Sequence, residues 1–301
     1  MSPVALRRQP LLGLVYMAVA ILLFSAMDAA AKWLTTGYSV VEIALFSRLL
    51  SPFLSLGVAL HQGGLRTLRT RHPGWHLARA TANGVTLVTF FAALIYLPLA
   101  DTVAITFASP LIMCALAVPM LKEHVGPRRW IAIVIGFAGV LVITQPSGVG
   151  FGLGAALALA AALGSAFEIT LTRRMSATES SHSILFWSSL IMIIAFGSAV
   201  PFAWTTPAAA DWPAIAILAL SGSCAQFGLV QAFRYGEVSL LAPLEYSGLI
   251  WATLFGYLFW GDLPTLTVLG GVAIIVASSA YVAHREARVK GQATAPTRDL
   301  I

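Results

Sequence analysis

Five charged side chains stand inside long apolar stretches of the sequence: Asp28, Lys32, Arg48, Glu168 and Glu245, with Glu42 near the end of one such stretch. A charge at bilayer depth costs about 2.5–3.5 kcal/mol on insertion scales, so each needs a partner or a water-lined cavity. Ser25, Asp28, Lys32 and Thr35 follow i, i+3, i+7, i+10 and form one stripe on an otherwise apolar helix. Ser165, Glu168 and Thr172 repeat that stripe further along, and Arg48, Ser51 and Ser55 share a face of their own. Such groups can bind a polar solute, exchange a proton or hold helices together. Asp28 could pair with Lys32 one turn away, or with Arg48 on a neighbouring helix. Glu245 has no cation near its depth on the same stretch, so it is expected to face a central cavity and to contact an amine or titrate there.

A second polar face reads Thr102, Thr106, Ser109, Met113. Its counterpart later in the chain carries Glu245, Gly248 and Ala252, with Tyr246 and Trp251 as aromatic contacts; Gly248, Ala252 and Gly256 also suit close helix packing. Pro110 and Pro243 each free a backbone carbonyl, which supplies a polar ligand or a bend. Other chemistries lack their residues. The six histidines all fall at the expected cytoplasmic ends or tails, which leaves a hydrolase, a His-ligated metal or a His relay without its key group. No Gly-rich loop followed by Lys suggests nucleotide-driven pumping. Cys114 and Cys224 lie in apolar runs and read as small packing residues. An enzyme would have carboxylates alone, and neither cofactor nor metal is expected.

The elements that position these groups follow from composition. Of 301 residues, 58% are hydrophobic and 10% charged, with a mean hydropathy of +0.86, far from the roughly 25% charged of soluble domains. Apolar runs fall at 13–35, 39–60, 77–97, 99–121, 128–145, 150–172, 183–204, 213–233, 238–260 and 264–283. Most match the roughly 20 residues of a spanning helix. The weakest separator is 97–100, which reads either as a turn or as a bend in one span. The expected fold is an all-α integral membrane protein of ten transmembrane helices.

With the N-terminus inside, 16 of 18 Lys and Arg side chains, Arg79 among them, fall in cytoplasmic segments, and Lys32 and Arg48 fall within spans. Both termini are then cytoplasmic, in a bacterial inner membrane. The net charge of +6 is a topology signal and not a nucleic-acid footprint. Arg7-Arg8 and the apolar run after them resemble a signal peptide, yet Asp28 and Lys32 crowd the small-residue site, so an uncleaved first helix is expected. Trp33, Tyr38, Trp204, Trp212 and Trp260 sit where interfacial anchors belong.

The chain also repeats itself. Ser25-Ala26-Met27-Asp28 matches Ser165-Ala166-Phe167-Glu168, and Lys122-Glu123 falls on Gly261-Asp262, at offsets of 140 and 139. Thr106, Ser109 and Met113 then map onto Glu245, Gly248 and Ala252. Five spans per half require the second half to be inverted, giving 1–146 and 147–285 as repeats and 286–301 as a cytoplasmic tail. Asp28 and Glu168 become equivalent positions, the first nearer the outside and the second nearer the inside.

Met27-Asp28 with Lys32, Glu42 with Arg48, the stretch Ala93-Leu94 through Leu97-Pro98-Leu99-Ala100-Asp101 to Ser109-Pro110, Leu121-Lys122-Glu123, Gly136 to Val140, and Ala242-Pro243 with Tyr246 and Trp251 stand in order. In this the sequence resembles EamA-type carriers of the drug/metabolite transporter superfamily over about residues 10 to 285. It departs from them in carrying Gly261-Asp262 where many members have Gly-Glu, with the acid retained. The resemblance implies ten helices in two inverted halves and secondary transport of a small organic solute by alternating access. Amino acids and related compounds lead as substrates, with export slightly favoured. Uptake of a larger metabolite such as S-adenosylmethionine is the alternative within transport, and an intramembrane enzyme the alternative outside it. Asp28, Arg48, Thr106, Ser109, Glu245, Tyr246 and Trp251 are the expected substrate contacts, and Asp28, Glu168 and Glu245 the gating or coupling groups.

Overall fold

A computed structural model describes residues 10–62, 64–70, 72–121, 127–144, 152–175, 178–235, 241 and 244–293. Arg7, Arg8, Lys122, Glu123, Ala242 and Pro243, singled out above, lie outside the described residues. Among those residues no strand occurs. The helices are α1 (Pro10–Leu34), α2 (Val40–Arg48), α3 (Ser51–Gln62), α4 (Pro73–Tyr96), α5 (Leu99–Thr106) and α6 (Ser109–Leu121). They continue as α7 (Pro127–Thr144), α8 (Leu153–Met175), α9 (Ser181–Ala199), α10 (Trp212–Tyr235), α11 (Gly248–Trp260) and α12 (Leu266–Ala293). Seven segments are long and apolar enough to cross a membrane, and shorter apolar helices cover Trp130–Thr144, Gly248–Trp260 and Leu266–Tyr281.

Local chemistry sets the boundaries. Ser39 caps α2 by accepting a hydrogen bond from the Glu42 amide at 3.3 Å, and Ser180 caps α9 through the Ser183 amide at 3.1 Å. Pro73 opens α4 at a position where its missing N–H costs nothing. Pro98 forces Leu97 into extended backbone (φ −123°, ψ 151°), so 97–100 is a turn between α4 and α5 and not a bend. Gly261 ends α11 in the left-handed region at φ 71°, its amide bonding to Tyr257 O at 3.0 Å while the Asp262 amide returns to Gly256 O at 3.1 Å. This double return fixes the direction in which Asp262 leaves the helix.

Large apolar side chains face outward, as lipid contact requires: Phe53, Val134 and Ile250 are each about two-thirds exposed or more. Inward faces carry small residues, as on α8 with Ala155, Ala158, Ala161, Ala162 and Ala166. Lipid tails are as apolar as Leu, so close backbone approach and interhelical hydrogen bonds hold such a bundle together. The closest approach joins α7 to α12. A Cβ at Gly139 would stand 2.7 Å from Gly271 O, and one at Gly271 would stand 2.7 Å from Gly139 O. Helix α1 packs chiefly on α10, α4 on α8 and α7 on α12. Around these pairs α1 meets α11, α8 meets α5 and α6, α9 meets α2, α3 and α4, and α5 meets α11.

Candidate functional site

Two polar pairs at i, i+4 spacing face each other across α4 and α8. Arg79 and Asn83 stand on α4, Glu168 and Thr172 on α8. Arg79 donates from Nη2 to Glu168 Oε1 at 2.7 Å, from Nε to Thr172 Oγ1 at 2.6 Å and from Nη1 to Ser188 Oγ of α9 at 2.6 Å. Asn83 Nδ2 donates to the other oxygen, Glu168 Oε2, at 2.6 Å. Both carboxylate oxygens and all three guanidinium nitrogens are therefore engaged. The sequence reading had set Arg79 in a cytoplasmic segment. It lies in the second turn of α4, 4% exposed, where three acceptors on two other helices receive it.

The equivalent acid on α1 is held differently. Asp28 is half-buried and has no hydrogen bond or ion pair to any described residue. Neither expected pairing forms. Lys32 turns away from Asp28 to meet Asp262 Oδ2 at 3.3 Å, donates to Leu97 O at 3.1 Å, and lies 5.1 Å over the Trp260 ring. Asp101 lies within electrostatic reach of both Lys32 and Asp262. Nearby, Tyr38 donates to Asp211 Oδ2 at 2.7 Å and accepts from the Ala208 amide, and the Thr205 amide donates to Glu42 Oε2. These contacts tie the ends of α1, α2, α4, α10 and α11 together at one end of the bundle. The Tyr38–Asp211 hydrogen bond pushes the Tyr38 phenol up from its ordinary value.

Arg48 ends α2, just before the break at Leu49-Leu50 that separates it from α3. It is 8% exposed, its charged neighbours are Glu168 and Arg79, and its Nε has no hydrogen-bond partner. Below it a crevice runs between α3, α9 and α10, lined by Ser51, Ser55, Ser189, Ser223 and Gln226 among others. A Ser51–Ser223 hydrogen bond of 3.1 Å crosses it.

The second polar face is interrupted at its centre. The helix breaks at Phe107-Ala108 between α5 and α6, and again at Tyr246-Ser247 before α11. Phe107 and Tyr246 meet edge to face with ring centroids 5.1 Å apart. Thr106 Oγ1 donates to Val103 O on its own helix, while the buried Ser109 Oγ has no partner. Glu245 is exposed, and Arg173 of α8 is its charged neighbour, so its cation comes from another helix. Trp251 packs against the cluster of Met17, Ile21 and Leu241, away from the ring pair. Arg79, Asn83, Ser188 and Asp262 are the polar groups that the sequence reading did not place here. The i, i+4 match of Arg79-Asn83 to Glu168-Thr172 could have signalled the first two.

A helical bundle with an apolar exterior, spans broken at their centre and polar side chains turned inward has the form of a membrane carrier. The chain belongs to the EamA-like transporter family, whose profile matches residues 11–145 and again 152–283. It is 26% identical over 275 residues to an S-adenosylmethionine uptake transporter of Rickettsia bellii, covering 91% of this chain and 94% of that one. It is 27% identical over 278 residues to a riboflavin transporter of Rhizobium johnstonii, covering 92% of each. A pseudopaline exporter of Pseudomonas aeruginosa is 26% identical over 278 residues, covering 88% of this chain and 94% of its own. A solved crystal structure superposes with a TM-score of 0.67 at 19% identity, over 94% of this chain and 100% of that one, a likeness of fold. The protein is thus a multi-pass membrane transporter of small metabolites.

Proposed function

We propose that this transporter is a secondary carrier that moves amino acids or related small metabolites across the inner membrane by alternating access. The reading takes ten spans in two inverted halves, 1–146 and 147–285, followed by a cytoplasmic tail, with both termini inside. Two separate family matches support the division. The helix pairing supports it as well. Exchanging span 1 with 6, 2 with 7, 3 with 8, 4 with 9 and 5 with 10 turns the α1–α10 contact into α8–α4 and returns α7–α12 to itself.

The observation that carries the reading is the contact of Phe107 with Tyr246. At the repeat offset of 139 these are equivalent residues, and each sits where its span is interrupted. Discontinuous helices meeting at a repeat interface are how carriers of this architecture build a site near the bilayer midplane. Asp28, with no partner of its own, and Glu245 are the carboxylates available to an amine or to coupling. Thr106 and Ser109 line the face around them, and Glu168 serves the inner gate. Export is the working direction. Uptake of a larger metabolite is a second reading, favoured by the relatives named as S-adenosylmethionine uptake transporters.

Counterflow in proteoliposomes tests this. The purified chain should exchange labelled compounds from a panel of amino acids, S-adenosylmethionine and riboflavin with saturation. An absence of saturable exchange across the panel, in vesicles shown to contain folded protein, overturns the carrier reading.

A further inference from the structure

We propose that Arg48 binds a carboxylate of the transported solute, so that the substrate class is one with a free carboxylate group; this rests on the carrier reading above. The argument begins with a charge count. Arg48, Arg79 and Glu168 form one electrostatic group between α2, α4 and α8, with two cations and one anion. Glu168 is already held at both oxygens, by Arg79 at 2.7 Å and Asn83 at 2.6 Å. Arg79 is saturated in turn by Thr172 and Ser188. The surplus positive charge therefore resides on Arg48, which is 8% exposed and whose Nε donates to nothing among the described residues.

A buried guanidinium with an idle donor is costly unless something periodically occupies it. Its planar fork matches a carboxylate through two parallel hydrogen bonds. A surplus of one charge suits a monoanion and not a doubly charged phosphate. The location suits a transient ligand. Arg48 closes α2 at a break in its span, one turn before Ser51, which with Ser55, Ser189 and Ser223 lines the neighbouring crevice. Beside the C-terminal end of α1 the balance is reversed, with Asp101 and Asp262 against Lys32. A solute with both an ammonium and a carboxylate would lie with its carboxylate toward Arg48 and its ammonium toward those acids.

The test uses the full chain in proteoliposomes and measures competition for counterflow by amino acids and S-adenosylmethionine against their methyl esters. Free acids should compete roughly ten- to a hundredfold better than the esters, the worth of a charge-assisted hydrogen bond. Arg48→Gln should abolish that preference and Arg48→Lys should keep part of it, with thermal unfolding confirming that both variants fold. Equal competition by acids and esters in the wild-type chain, a preference undiminished in Arg48→Gln, or stronger competition by phosphate monoesters overturns the proposal. If no compound exchanges, the carrier reading fails, and ligand-induced stabilisation of the detergent-solubilised chain still decides the subsite. Stabilisation by acids over esters that vanishes in Arg48→Gln supports it, and no such stabilisation overturns it.

Discussion

Asp28 and Glu168 match each other at the sequence offset of 140, and the structure gives them opposite expected responses to removal. Glu168→Ala deletes two interhelical hydrogen bonds, to Arg79 and Asn83, and leaves the Arg79 guanidinium buried at 4% exposure without its counter-charge. Breaking one side of a buried ion pair costs about 3–5 kcal/mol. Interhelical hydrogen bonds in membranes average only about 0.6 kcal/mol, so the uncompensated charge accounts for most of the loss. Arg79 keeps Thr172 and Ser188, which places the expected loss near the lower end, at about 3 kcal/mol. Asp28→Ala breaks no hydrogen bond or ion pair to a described residue and removes an acid from a membrane-spanning stretch, so it should leave stability unchanged or raise it.

Reversible unfolding in mixed detergent–SDS micelles measures both. The double variant Arg79→Met with Glu168→Leu should recover most of the loss, because an apolar pair of similar volume removes the orphaned charge together with its partner. Equal destabilisation by Asp28→Ala and Glu168→Ala would refute the assignment of one acid as clamped and the other as free. Simple additivity in the Arg79/Glu168 pair would refute the clamp itself. Transport should show the reverse order. Asp28→Asn should reduce exchange in proteoliposomes while the protein remains as stable as wild type.

Three further outcomes follow from the same geometry. Asp262→Ala removes a half-exposed partner from Lys32, worth at most about 1 kcal/mol, so a cysteine at position 28 in a Cys114→Ala/Cys224→Ala background should label up to about fivefold faster from outside. No change in labelling would show that the clasp does not close that side. Gly139→Leu must displace Gly271 O, which already lies 2.7 Å from a Cβ, and should destabilise the chain by about 1–3 kcal/mol, read by the same unfolding assay. Phe107→Ala and Tyr246→Ala, measured singly and together for exchange rate and stability, should couple by about 0.5–1.5 kcal/mol, and independent effects would count against their acting as one joint.

Much of this architecture is written in hydropathy and in the positions of Lys and Arg, because lipid leaves a chain few choices of backbone. The helices α1, α4, α8, α9 and α10 fall where the apolar runs end in Gly, Pro or a capping Ser. The partners of Arg79 are not legible in the sequence for a specific reason. Arg79 ends a run of cations from Arg66 onward, and charge statistics cannot separate a loop arginine from one in the second turn of a helix whose acceptors lie on α8 and α9. Lys32 was misread similarly, since its partner Asp262 depends on the left-handed turn at Gly261, far along the chain.

The repeat made Asp28 and Glu168 legible as equivalents, but their functions separate through residues that the repeat does not conserve. At the offset of 140 that joins the two acids, Arg79 and Asn83 of α4 correspond to Ala219 and Ser223 of α10. Ala219 offers no charge, and Ser223 bonds to Ser51. Glu168 therefore sits in a three-helix ionic clamp, while Asp28 has no hydrogen bond or ion pair among the described residues. Two halves of identical sequence would give inward- and outward-facing states equal energies. Under the inverted-repeat carrier proposed above, this exchange of two side chains on one helix would remove that degeneracy, and a ligand would shift the balance only by the difference in its contacts with the two states. An acid and an arginine Nε that no described residue engages are the groups able to make such a difference.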